Sequence, residues 1–292
     1  MKNRIANRFR EIVSGSKDGR PDWVKFIDLG EGPGLFGPNS AVWQVHGSVA
    51  TLVGGIRALL LQAAHPAALT GVSKHSRYES DPLGRLAGTS RWLTITTFGT
   101  EEAIAKQAAR VNGMHSKVQG EYTTKAGDTA GYRASDPRYL LWVHCAFTDS
   151  FLTTHLAFKY PINQGADAYV REWSKSAIGL GLINAPQSVA ELKATMEDFL
   201  QKDLATSEQT ATVVKFILKP PLGTASLLFY RLLARAAIYT LTPEQRAILG
   251  LKPVSKFWLW LCARLLRILS FTLGKESPSQ EVARKRIART AK

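Results

Sequence analysis

Cysteine is nearly absent from this chain. Its 292 residues contain two, Cys145 and Cys262, both inside apolar helical patterns, which excludes a disulfide framework and reads as buried free thiols. No C-x-x-C, H-E-x-x-H or G-x-S-x-G occurs, and none of the six histidines has a glutamate three residues before it. The usual warrants for zinc, serine-hydrolase and di-iron chemistry are therefore missing. Acidic residues are scarce too, 23 against 38 basic ones, for a net charge of +15. That balance would suit nucleic acid, but the basic residues are spread along the chain and no zinc-finger or RNA-recognition signature accompanies them, so a nucleic-acid role is not expected. The N-terminus carries charges throughout and has no apolar signal region, which reads as a cytoplasmic chain.

Apolar sequence is plentiful, at 45% hydrophobic residues, enough for a sizeable core. Residues 38–56 and 58–73 hold no Lys, Arg, Asp or Glu and are split only by Arg57. Asn39, Gln44, His46, Gln62 and His65 lie within them, which fits buried helices better than lipid-facing ones. Strict alternation is rare, and the pattern is one of helix after helix. A long helix is expected from Asn39 or Ser40 to Ala64, loop at 67–85, helix over 86–98, helix over 100–120, and a polar loop at 120–135. Asp136-Pro137 opens a helix to about Tyr160, and further helices fall near 166–179, 188–204, 207–218 and 223–240, with another starting at Thr242-Pro243. The expected architecture is all-α, one globular multi-helix domain over residues 35–274 enclosing a pocket, with an N-terminal extension (1–34) and a basic C-terminal tail (275–292). The apolar helix before that tail, with Lys256, Arg264 and Arg267 toward one side, either packs on the core or lies on a membrane surface as a peripheral contact.

Gly32, Gly34 and Gly37 have G-x-G-x-x-G spacing, but no helix opens on them and no βαβ unit follows, so they read as a loop. The sharper chemical hint is His115. On the expected helix Ile104, Ala108, Val111, His115 and Val118 recur at steps of three and four and share an apolar face, while Lys106, Arg110 and Lys117 lie elsewhere. A buried imidazole there either bonds a backbone carbonyl or binds a metal. With the multi-ligand sites set aside, one-histidine iron is the metal chemistry that remains, because haem needs a single proximal imidazole and a large apolar cavity. His144 and His155, eleven residues apart on one helix, could line such a cavity with Trp142 and Phe151 nearby, or be a bonded core histidine and a surface or helix-capping residue respectively. Asp149 is the odd charge in that helix.

Three segments together resemble a known family. SAVWQVHGSVATLVGGIRALLLQAAHPAALTGVSKHSRYESDPLGRLAGTSRWLTITTFGT, NGMHSKVQG and YRASDPRYLLWVHCAF, in that order, are similar to the catalytic domain shared by latex clearing protein, a rubber oxygenase, and the oxygenase MpaB, with the resemblance spanning roughly residues 35–250. It implies an all-helical oxidoreductase holding haem b, in which iron activates dioxygen to cleave carbon–carbon double bonds in prenyl chains. Position by position, the family's iron-ligating histidine matches His115, and the arginine and threonine of its R-x-x-x-T segment match Arg85 and Thr89. Rubber oxygenases carry a lysine just before that threonine, and this chain has Gly88. The distal position is then open, or held by water or by another residue such as His65, with His65 and His144 next in line as ligands. The function expected is a haem-b oxygenase acting on a hydrophobic, isoprenoid or lipid-like small molecule. The competing expectation is a haem- or lipid-binding protein without turnover.

Overall fold

The computed structural model describes residues 23–75, 82–273 and 276–290. Among the described residues are fourteen helices and one antiparallel hairpin, so the fold is all-α with a single small exception. In chain order the elements are α1 (Val24–Ile27), α2 (Ala41–His46), α3 (Thr51–Ala63), α4 (Pro66–His75), α5 (Pro82–Phe98), α6 (Glu101–His115), β1 (Gln119–Thr123), β2 (Thr129–Arg133) and α7 (Pro137–Ala157). Then come α8 (Ala166–Ile178), α9 (Val189–Lys202), α10 (Glu208–Leu218), α11 (Thr224–Tyr239), α12 (Pro243–Ile248), α13 (Lys256–Leu273) and α14 (Pro278–Thr290).

Local chemistry explains most of the boundaries. Ser40, Thr100, Asp136, Ser207 and Thr242 each accept a hydrogen bond from a first-turn N–H, the capping role their short polar side chains favour. Thr242 and Gln245 form a full capping box, with bonds of 3.1 and 3.2 Å. Ser188 makes half of one, accepting from Glu191 N, because the Glu191 carboxylate turns instead to Gln187 N at 2.8 Å. α3 and α7 cross at the centre of the core, and Gly54 sets how closely. A Cβ there would lie 2.6 Å from Phe151 Cδ1 and 2.9 Å from Thr154 Oγ1. α8 and α9 cover α7 on further sides, α10 and α11 lie on α3, and α13 packs on α11.

Five expectations need correction. The long helix expected from residue 40 to 64 is broken into α2 and α3, because the chain turns at Gly47, where a side chain would collide with Gln280 and the Trp43 carbonyl. The expected loop at 67–85 begins as α4, started by Pro66, whose missing N–H costs nothing in a first turn. α6 stops at His115 rather than running to Gly120, and the expected polar loop is the β1–β2 hairpin, registered Gln119 to Arg133 through Thr123 to Thr129. Its alternate residues Tyr122 and Tyr132 turn inward, and Tyr132 fills the space left by Gly71 on α4. The last correction concerns the basic end of the chain, of which residues 278–290 form α14. Arg286 on that helix is fully buried, donating from Nε to the Gly32 carbonyl at 3.1 Å and from Nη1 to the Ile27 carbonyl, so α14 clasps α1 and the glycine loop.

Candidate functional site

Two nests of buried imidazole lie on different sides of α7. Trp142 and His144, two residues apart on that helix, point about 200° apart, and each leads to one nest.

The first nest lies between α2, α7 and α8. His144, Phe151 and His155 recur along one face of α7, and His46 from the end of α2 inserts among them. The His46 ring sits 4.4 Å from Trp173 and 5.0 Å from Phe151, centroid to centroid. Its Nδ1 lies 2.8 Å from Thr97 Oγ1 and its Nε2 3.0 Å from the Tyr169 hydroxyl. Thr97 spends its single proton on the Leu93 carbonyl at 2.7 Å, so His46 Nδ1 must carry a hydrogen and donate it. Nε2 is then the acceptor, and Tyr169 donates to it. Burial, with a smaller contribution from the neighbouring His155, lowers the His46 pKa to about 3, so this neutral tautomer is the resting one at neutral pH. His144 lies nearly parallel to Trp173 at 6.4 Å, its Nε2 is buried without a partner, and burial lowers its pKa to about 4. His155 is not a surface or capping residue: it is buried, facing the Pro161 carbonyl at 3.1 Å through Nε2 and Ser48 Oγ at 3.1 Å through Nδ1.

The second nest holds His65, at the joint between α3 and α4. Its ring is fully buried against Tyr139, Trp142 and Phe199, with centroids 5.5, 5.7 and 6.0 Å away. Among the described residues neither ring nitrogen has a partner, and the Trp142 Nε1 and Gln62 Nε2 atoms are likewise buried and unpaired. Burial dominates its pKa, lowered to about 4. Trp142 therefore belongs with His65 and not, as expected, with His144.

His115 stands apart from both. It ends α6, half-buried, with Ile104 and Ala108 of the same stripe buried and Val111 half-buried. α6 is pinned to the end of α8 by Asn112 Nδ2, which donates to the Gly179 carbonyl at 3.1 Å. His115 Nδ1 is buried without a partner among the described residues, and burial lowers the pKa, which favours the neutral ring. No backbone carbonyl among the described residues bonds that atom. On α5, Thr89 and Thr96 are seven residues apart and share a face; Thr89 is half-buried and Thr96 Oγ1 is buried without a partner. Gly88 beside Thr89 faces open space, with nothing within 4 Å of where a Cβ would stand. The side chain of Arg85, also on α5, lies outside the described residues.

Sequence alone names His46, Arg57 and Asp149 without partners. His46 was visible there only as one polar residue in an apolar stretch, and the signal that finds it is tertiary, the convergence of Thr97 and Tyr169. Arg57 is the lone charge of α3 and Asp149 the lone carboxylate of α7, and they pair at 2.6 Å across the two helices. Arg57 is 2% exposed and also reaches Ser150 Oγ at 2.9 Å and Gln245 Oε1 at 3.3 Å. Two charges, each unexplained alone, could have been matched on that ground. Among the described residues no group of three or more His, Cys, Asp or Glu side chains is placed to hold a metal ion.

Fold and nests together define a helical protein whose core keeps several imidazoles neutral and leaves some of their nitrogens unused. Compared with models of protein families, residues 43–271 match "ER-bound oxygenase mpaB/B'/Rubber oxygenase, catalytic domain", and the chain belongs to that family. No curated protein and no solved structure matches the chain.

Proposed function

We propose that this protein is a haem-b-dependent oxygenase that uses dioxygen on a hydrophobic, isoprenoid or lipid-like small molecule. The observation that carries the reading is His115: a neutral imidazole with an unpaired ring nitrogen, inside the span that matches an oxygenase catalytic domain. A buried ring nitrogen in that state lacks the hydrogen bond that a purely structural histidine would be expected to make, and the neutral ring has the protonation state that metal ligation requires. Haem b, when bound, would supply the redox centre at which dioxygen is activated. The chain supplies the rest. His115 would hold the iron through its ring nitrogen, with His65 and His144 as the reserve ligands; burial lowers the pKa of both, and each has a nitrogen without a partner among the described residues. Thr89 would offer a hydrogen bond to bound oxygen, and Arg85 would contribute positive charge for a propionate or a developing anion. The open space at Gly88 leaves that face without the lysine of rubber oxygenases.

The test begins with an optical spectrum of the purified protein, before and after haem is added. A Soret band is expected, and its absence in both samples would end the proposal. His115→Ala is expected to lose most of the bound haem, while Thr89→Ala keeps it and loses oxygen consumption with prenyl substrates. Haem retained by the first variant moves the ligand to His65 or His144. Gly88→Lys is expected to give a six-coordinate low-spin spectrum, because a primary amine then enters space that is now open.

A further inference from the structure

Exposed large apolar residues are densest on α13 and continue onto α11. On α13, Phe257, Trp260, Arg264, Ile268 and Phe271 recur at steps of three and four, share one face and are all exposed, Phe271 at 88%. The opposite face buries Leu259, Cys262 and Leu266 in the core, so α13 has two apolar stripes where packing needs one. Phe257 and Trp260 stack at 5.9 Å, and the Arg264 guanidinium lies 5.2 Å from the Trp260 ring. α11 continues this surface. Leu228, Arg231 and Arg235 are exposed on one of its faces, and Arg235 lies 3.9 Å over Trp258 at the start of α13.

Charge selects the partner. Between Gln209 and Lys275 the chain has ten basic residues and one acidic one, Glu244, so more than half of the net charge of +15 lies in less than a quarter of the chain. A second copy presenting the same basic face would be repelled, and exposed Leu228, Ile268 and Phe271 have no use for nucleic acid. Among the described residues no helix is long and apolar enough to cross a membrane, so a lipid contact here would lie in the plane of the surface. Aromatic rings suit the depth of the headgroups, and guanidinium groups suit phosphate.

We propose that the α11–α13 face seats this protein on an anionic phospholipid bilayer. Phe257, Trp260, Ile268 and Phe271 enter the headgroup region, and Arg231, Arg235 and Arg264 meet the phosphates. The apolar helix for which the sequence left a membrane contact open is α13 itself, whereas the basic segment after it is occupied by its clasp on α1. The proposal is independent of haem, because its test reads neither haem nor turnover.

The full chain is floated with vesicles of phosphatidylcholine, and with vesicles in which roughly a third of the lipid is phosphatidylglycerol. Binding to the anionic vesicles is expected to be at least about tenfold stronger, to weaken with added salt and to shift tryptophan emission to the blue. A double variant, Trp260→Ser with Phe271→Ser, is expected to lose about tenfold in binding while unfolding at an unchanged temperature, since both side chains are exposed. Failure of the wild-type chain to prefer anionic vesicles would overturn the proposal, as would a double variant that binds like wild type. So would a dimer in solution that the double variant turns into a monomer, because the face would then be a subunit interface.

Discussion

His46 is held in one tautomer by Thr97 and Tyr169, and that arrangement has a thermodynamic signature. Its pKa, lowered to about 3 in the folded protein, returns to about 6.5 on unfolding. The unfolded chain therefore binds one more proton between those values, and the stability is fully present above pH 6.5 and lost as pH falls toward 3. His46→Gln is expected to flatten the dependence of urea-unfolding free energy on pH by up to about 1.4 kcal/mol per pH unit in that window. The Arg57–Asp149 pair makes a sharper residue-scale case. Asp149→Ala leaves a guanidinium 2% exposed with neutral partners alone, which is expected to cost about 3 kcal/mol in chemical denaturation. Replacing both residues, with Arg57→Met and Asp149→Leu, is expected to recover much of that loss. At this scale the candidate site was partly legible: the position and apolar side of His115 follow from helical periodicity. The pairing of Arg57 with Asp149 and the bonds of His46 do not, because they depend on how α2, α3, α5, α7 and α8 meet.

At the scale of elements, Gly54 is the position with least tolerance. Gly54→Ala puts a methyl 2.6 Å from Phe151 and within 3.3 Å of its Cα, so α3 and α7 must separate. A loss of about 1–3 kcal/mol in denaturant unfolding is expected, even though alanine favours the helix itself. Gly55 next door is the control, since nothing lies within 4 Å of a Cβ there and Gly55→Ala should be neutral or stabilising. Helix starts were easier to read than helix breaks. Caps are local, a side chain bonded to an N–H two or three residues on, so Ser40, Thr100, Asp136 and Thr242 announce themselves. At the Gly47 break the side chain that leaves no room for a Cβ is Gln280, over two hundred residues away, and on the hairpin Tyr132 fills the gap at Gly71. An isolated hairpin with two inward tyrosines would be marginal, and its sequence correspondingly reads as loop.

For the whole molecule, fold class was readable because burial needs only the apolar stripes of many helices, and those are printed along the chain. The disposition of charge was less so, since a basic tail and a basic helix look alike until Arg286 is seen inside. Removing residues 276–292 is expected to lower the thermal midpoint and to expose amides 24–32 to hydrogen exchange, whereas loss of a solvated tail would change neither. The same clasp has a consequence for biosynthesis. Ile27 and Arg286 are separated by 259 positions, so the carbonyl of Ile27 leaves the ribosome long before its guanidinium partner exists. At translation speeds of about 5–20 residues per second the wait is roughly 10–50 seconds. During that time the early segment 24–32 is without its final cover, and a nascent-chain chaperone that masks Val24 and Ile27 would be most useful then.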